Sequence, residues 1–325
     1  MAIHRTDAIV LRAIDYSETS LIVWLYTRDH GRVHLIAKGA RRARSPFEGA
    51  LEPLVRGELV FYRKAKPDGL DIAKEFDPVD LHLGLRADLA RLHRGVYVGE
   101  LLTELSEPDV ASPEAFDAAA EALGHLARGS HDALEQALVG CQLRLLAASG
   151  LRPVLDRCAR CGGPVFPEAP AGRDARPAQE RDRRADDAWF GPAQGGALCL
   201  EHGRGESGAT AVSRPLLRRL LATALGRRVA PDPAADLEVR RLLDQFLAWH
   251  LGREGRMVRW LRPVTEQARP EAGGAGTRRR GASTSAPRGP VDRRPEALAG
   301  SPSRSPSPAA PGGSTVRPPL GRRAR

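Results

Sequence analysis

CARCGG at residues 158–163 and CLEH at 199–202 gather three of the chain's four cysteines and one of its nine histidines. Cys158 and Cys161 offer two thiolates from one tight turn. Gly162 and Gly163 let the backbone fold closely around an ion. Cys199 and His202 supply a second pair at the same spacing, after Gly195 and Gly196. Four ligands in two such pairs suit tetrahedral Zn2+, one per chain. Four protein ligands leave no open position for water, which favours a structural site over a catalytic one. Two other readings stay open. Cys158 and Cys161 can act as a redox dithiol, although the surrounding sequence lacks a thioredoxin-like βαβ pattern. A solvent-exposed His202 would leave three ligands and an open site. Cys141 lies on an apolar stripe and reads as core. His250 reads as a core or boundary histidine.

A second kind of chemistry lies near the amino end. KGARRAR (38–44) carries Lys38, Arg41, Arg42 and Arg44, and a second cluster holds Arg63, Lys64 and Lys66. Concentrated positive charge of this kind suits phosphate, because each contact releases condensed counterion. Single-strand binders add aromatic rings on which bases stack. Tyr16 and Tyr62 are candidate platforms, or partial core. The bland alternative for RRAR is a solvated loop.

The elements that must position these groups read as follows. TDAIVLRAI (6–14), SLIVWLYT (20–27), VHLIA (33–37), LVRGELVFY (54–62) and LDIAKEF (70–76) are strand-like. The turn signal Pro67-Asp68-Gly69 precedes the last of them. Five strands in about 75 residues predict an antiparallel OB-type barrel over residues 1–80. After Pro78 the spacing becomes helical, with Leu85, Leu89, Leu92 and Val96 as one apolar stripe. Ser112-Pro113-Glu114 reads as a helix start. Leu134, Leu138, Cys141, Leu145 and Ala148 form another stripe, which Gly150 ends. Helices resume at Ser213, and Asp236 is expected to cap the last one. The zinc module, at about 155–205, is thus inserted in an α-helical domain spanning 81–263. Residues 167–188, charged and nearly free of large apolar side chains, are expected to form a flexible insertion; it accounts for the 37 residues between Cys161 and Cys199. The architecture is α+β and multidomain.

The net charge of +10 is unevenly spread. Residues 1–80 carry 13 Lys/Arg against 12 Asp/Glu, residues 81–263 carry 25 against 24, and residues 264–325 carry 12 against 4. Nearly all the surplus therefore sits in the last segment, whose Pro/Gly/Ser/Arg composition predicts a disordered basic tail. No apolar run reaches about 18 residues, so no membrane span is expected. Charge appears too early at the amino end for a secretory segment. The chain reads as cytoplasmic, where a CxxC is metal-binding or catalytic more often than a disulfide. No HExxH, GxSxG or P-loop is present.

TDAIVLRAIDYSETSLIVWLYTRDHGRVHLIAKGARRARS, then EPLVRGELVFYRK, then a helical region, CARCGG and GGALCLEH resemble, in that order, the RecO family of bacterial recombination mediators. The resemblance covers roughly residues 1–262 and is specific as a combination. It implies a DNA repair and recombination protein that binds single- and double-stranded DNA and anneals complementary strands. With RecR, such a protein helps load RecA onto strands coated by single-strand-binding protein. It implies no bond-breaking enzyme, and a cytoplasmic place on the nucleoid. It assigns the DNA role first to Lys38, Arg41, Arg42 and Arg44 and second to Arg63 and Lys64. The metal role goes to Cys158, Cys161, Cys199 and His202. His202 departs from the cysteine that the family often carries there, and the tail after Pro263 lies outside the resemblance. The competing readings are a zinc-containing interaction scaffold without annealing activity and a zinc hydrolase.

Overall fold

A computed structural model describes residues 2–47, 50–64, 70–166 and 187–261. The expected insertion up to residue 186, the tail, Lys66 and the Pro67-Asp68-Gly69 turn lie outside the described residues. Five strands come first: β1 (Ala2–Asp15), β2 (Leu21–Thr27), β3 (Gly31–Ala37), β4 (Arg56–Arg63) and β5 (Asp71–Asp80). They close into a barrel in the order β1-β2-β3-β5-β4. The expectation of a wholly antiparallel barrel is corrected at one seam, where β3 and β5 run parallel. Five strands in a ring cannot alternate direction all the way round, so one parallel junction is unavoidable.

Alternation fills the barrel. Val10, Val23, Leu25, Leu35, Phe61 and Phe76 point inward, and Phe47 and Leu51 of the β3–β4 connection join that core. β1 is long enough to pair with β4 through its first half and with β2 through its second, bending at a register shift between Val10 and Arg12. β5 runs on through Pro78, where the sequence suggests a break. At that point the strand pairs only with β4, and a strand with one free edge tolerates a missing N–H. A register shift between Val60 and Phe61 also changes β5: Phe76 is buried and Lys74 exposed, although their spacing places them on one face.

The helical part contains α1 (Leu89–Glu104), α2 (Pro113–Arg128), α3 (Leu134–Ala148), α5 (Arg214–Ala224) and α6 (Pro233–Leu251), with the short α4 (Leu200–Gly203) between α3 and α5. Ser112 caps α2 as expected, and Ser213, where helices are expected to resume, caps α5; they accept from the N–H groups of Ala115 and Leu216. The cap of α6 is Asp232, not Asp236. Asp236 sits one turn further in, buried, with both carboxylate oxygens 2.7 Å from the Arg219 guanidinium. The stripe read on α1 is corrected too. Leu89 and Val96 are exposed, while Tyr97, Val98, Leu101 and Leu102 form the buried face. On α3, Ala148 is exposed.

A charged and polar network lies inside the helices. Arg240 donates to Glu135 at 2.9 Å and bonds Asp244; Asp244 also accepts from Tyr97 at 2.6 Å and Gln142 at 2.8 Å. Burial raises the Asp244 carboxyl above its ordinary range, against the opposing pull of Arg240. Three short strands, β6 (Asp187–Gly191), β7 (Gly196–Leu198) and β8 (Thr210–Ser213), form a small antiparallel sheet in the order β7-β6-β8. Asp187 and Ala188, expected in the insertion, belong to β6 because they pair with Ser213 and Val212 of β8. Barrel, helices and small sheet fall in one compact unit, Met1–Pro270. Ile9, Tyr26 and Leu54 of the barrel region join the helical core, and Arg28 pairs with Asp117 across the junction at 3.0 Å. Among the described residues no helix is long and apolar enough to cross a membrane.

Candidate metal centre and nucleic-acid interface

The two ligand pairs are brought together by backbone pairing. Val154 donates to Gly195 at 3.0 Å, Ala197 to Val154 at 2.8 Å, and Ala159 to Ala197 at 2.8 Å. Gly196 permits this approach. Its φ is +148°, and a Cβ there would meet the Val154 carbonyl oxygen at 2.1 Å. Gly162, at φ +72°, closes the first turn behind Cys161. Cys199 precedes the first turn of α4, which carries His202.

Ligand atoms of Cys158, Cys161, Cys199 and His202 all lie within 4.8 Å of one another. The Cys161 and Cys199 sulfurs are 4.0 Å apart; His202 Nδ1 is 4.0 Å from the Cys158 sulfur and 3.2 Å from that of Cys199. A zinc tetrahedron with Zn–S bonds of about 2.3 Å has sulfur–sulfur edges of about 3.8 Å. All four cysteines are free, and a disulfide would need sulfurs about 2.05 Å apart. The donor set fits a zinc ion, and His202 belongs to it. Electrostatics agree. Burial would raise the Cys158 thiol, but N–H groups of Cys199, Cys161 and Arg160 outweigh it and hold the group at about 6. Burial pushes Cys199 up, and the Cys158 charge pushes the same way. Crowded thiolates of this kind are relieved by a divalent cation. Cys141 is buried in the helical core with its thiol pushed up to about 12 by burial. His250 is exposed on α6, its Nδ1 donating to the Phe246 carbonyl at 2.8 Å.

Lys38, Arg41, Arg42 and Arg44 all lie exposed on the connection leaving β3. Arg41 ties this loop to the β1–β2 turn: its N–H donates to Thr19 at 3.1 Å and its guanidinium meets Asp15 at 3.3 Å. Tyr16, on the same turn, is exposed. Arg63 and Lys64 are not part of this cluster. Arg63 is paired with Asp71 and Asp109, and the Lys64 N–H donates to Asp71. Asp109 is bonded to Arg32 near the start of β3, whereas the cationic loop follows its end.

The sequence reading missed four residues on this side of the barrel. Arg12, Trp24 and His34 are neighbours in register on β1, β2 and β3. Trp24 stacks on His34 at 4.5 Å, with the Arg12 guanidinium 5.6 Å from its ring. The alternation of β2 and β3 carried that signal, since Val23, Leu25, Val33 and Leu35 point inward. Lys74 follows Ala73, the partner of Ala37, so it sits beside the β3 exit. Tyr62 is half-buried in an outward row with Ile3, Ile14, Ile22, Ile36 and Ile72.

Residues 1–82 match the family model described as Recombination protein O N terminal, and residues 86–174 match Recombination protein O C terminal. A DNA repair protein RecO of Myxococcus xanthus (strain DK1622) is 34% identical over 262 residues, 79% of this chain and 96% of that one. The RecO of Geobacter sulfurreducens is 32% identical over 261 residues, 80% of this chain and 98% of that one. The RecO of Rhodopirellula baltica is 38% identical over 192 residues, 59% of this chain and 64% of that one. The chain belongs to the RecO family of DNA repair proteins.

Proposed function

We propose that this chain binds single- and double-stranded DNA, anneals complementary strands and, with RecR, helps load RecA onto strands coated by single-strand-binding protein. The observation that carries this reading is the exposed loop bearing Lys38, Arg41, Arg42 and Arg44, fastened to the β1–β2 turn beside Tyr16. Annealing needs no catalytic group. It needs phosphate repulsion lowered by cations while base edges stay accessible, and the loop supplies the first condition. Arg12, Trp24, His34 and Lys74 extend the same surface with stacked planes and further charge. Arg63 contributes less, because Asp71 and Asp109 already engage its guanidinium, and Lys64 stands next to it, away from the loop. A structural zinc ion, one per chain, is held by Cys158, Cys161, Cys199 and His202, and supplies cross-linking rather than chemistry.

Between α2, α3 and the 223–229 turn lies a cavity of about 900 Å³. Ala122, Cys141 and Val229 line it, and the exposed Arg152, Arg227 and Arg228 stand at its rim. Its charge and floor suit an acidic, partly apolar segment of a protein partner. The deciding experiment is annealing of naked complementary oligonucleotides by the wild type and by a variant with Lys38, Arg41, Arg42 and Arg44 all changed to glutamate. Wild-type annealing lost in the variant is expected. A wild type that binds partner proteins but anneals nothing would leave the scaffold reading instead.

A further inference from the structure

Leu89, His93 and Val96 recur at helical spacing on α1, yet Leu89 is 67% exposed and Val96 36%. The 3₁₀ turn Val258–Leu261 lies along this side of the helix. Trp260, 48% exposed, sits against His93, with ring centroids 5.8 Å apart and the His93 Nδ1 donating to the Trp260 carbonyl at 3.2 Å. The Arg259 guanidinium stands 5.3 Å from the Trp260 ring. This is a different side of α1 from the one that carries Gly95 and Gly99, which meet Leu54 at the barrel.

The turn is fastened from below. The buried Glu100 carboxylate accepts the N–H groups of Arg256 at 2.7 Å and Met257 at 2.8 Å, and Arg240 reaches the Leu261 carbonyl at 3.3 Å. Trp260 is therefore presented by a fixed support. Two carboxylates beneath the turn are already engaged, Glu100 by those N–H groups and Glu104 by Arg253, while Glu254 is exposed earlier on the same connection. Arg259 has no carboxylate partner among the described residues, so the charge offered beside the ring is positive. Three residues past Leu261 begins the segment 264–325, with 12 Lys/Arg against 4 Asp/Glu.

An exposed tryptophan with an acid-free guanidinium beside its ring, flanked by apolar side chains, is the chemistry that holds a nucleobase and its phosphate. We propose that this face is a second single-strand contact, with a base stacking on Trp260, Arg259 on the adjoining phosphate, and Leu89 and Val96 bordering the base. The proposal rests on the DNA reading above and deepens it: annealing brings two strands together, and this gives the second strand a place apart from the barrel loop.

The test uses the full chain as wild type, Trp260→Ala, Trp260→Phe and Arg259→Gln. Thermal unfolding and circular dichroism confirm that each folds. Binding of a labelled single-stranded oligonucleotide, quenching of tryptophan fluorescence by it, and annealing of complementary oligonucleotides are then measured. Trp260→Ala is expected to slow annealing and weaken strand binding by roughly 5- to 150-fold, the range for one stacked base. Trp260→Phe keeps most of the affinity while losing part of the quenching. Arg259→Gln lowers the salt slope by about 0.7, one single-strand phosphate contact. If wild type binds oligonucleotide and Trp260→Ala binds, quenches and anneals equally well, this inference fails and the barrel reading stands. Loss of protein-partner binding alone in Trp260→Ala, or recovery of oligonucleotide-independent shielding of Trp260 by residues 262–270, likewise overturns it in favour of those occupants. A wild type that binds no oligonucleotide overturns both.

Discussion

Three of the four cations on the β3–β4 loop, Lys38, Arg42 and Arg44, have no ion pair among the described residues, while Arg41 is held by Asp15 at 3.3 Å. This difference yields a quantitative expectation. Each phosphate contact on a single strand contributes about 0.7 to the slope of log affinity against log salt. Changing Lys38, Arg42 and Arg44 together to glutamine removes three contacts and should flatten the slope by about 2. Between 50 and 200 mM salt, the gap between wild type and variant should then narrow about 20-fold. Arg41→Gln should flatten it by less than any other single change, because Arg41 must leave Asp15 to reach phosphate. Asp15→Asn should steepen it, by up to about 0.7. The assay is fluorescence anisotropy of a labelled oligonucleotide across a salt series. Trp24→Ala serves as the contrast: loss of a stacking plane lowers affinity by a constant factor at every salt concentration. Parallel lines for wild type and the triple glutamine variant would refute the assignment of phosphate contacts to this loop.

Purified chain should carry about one zinc ion by elemental analysis, and Cys158→Ser with Cys161→Ser should carry none and unfold at lower temperature; metal retained in that variant contradicts the ligand set. Gly196→Ala should lower both zinc retention and melting temperature, since its Cβ would meet the Val154 carbonyl oxygen at 2.1 Å; an unchanged melting curve and full zinc content would show that the two knuckles do not depend on that approach. Arg240→Met strips buried partners from Glu135 and Asp244 and should cost about 3–5 kcal/mol, or roughly 6–20 °C in melting temperature. The folded-state pKa of Asp244 is already raised, so its contribution to stability is full below the unfolded pKa and falls as pH rises toward the folded one. Removing Arg240 raises that pKa further, so the deficit should shrink on acidification toward pH 5; a deficit that grows instead would refute the buried-carboxylate account.

Much of this molecule was legible in its residue order, and the failures share a cause. Short apolar and β-branched runs bounded by polar turns found all five barrel strands, with alternation read only in VHLIA and LDIAKEF. They could not find the parallel seam, which follows from ring closure, or the register shifts in β1 and β5, which depend on pairing partners far away in sequence. Cap chemistry placed Ser112 correctly, yet chose Asp236 over Asp232. Both are aspartates near a helix start, and only the position of Arg219 on α5 turns one of them inward. The α1 stripe misled for a related reason. Leu89 and Val96 share a face with the right spacing, but the barrel and α2 pack elsewhere on that helix. The Cys3His cluster needed no such distant knowledge, because two pairs at this spacing already suit a tetrahedral site. Arg63 looks like the loop cations in sequence; its pairs with Asp71 and Asp109 set it apart, and Asp109 arrives from beyond α1.

The Cys3His cluster and the cationic loop belong to different elements, yet packing links them. Phe190 of β6 lies 5.9 Å from Phe246 of α6. Two residues earlier on α6, Asp244 holds Tyr97 of α1 at 2.6 Å, and α1 meets the barrel through Gly95 against Leu54. Loss of metal can therefore loosen the support of the barrel without touching any cation on its loop. A metal-depleted chain studied below its own unfolding temperature should bind a single strand with the wild-type salt slope, because the number of phosphate contacts is unchanged. Any weakening should track the lowered melting temperature and disappear on cooling. A flattened slope in folded, metal-free protein would mean instead that the cysteine cluster helps arrange the phosphate-binding surface itself.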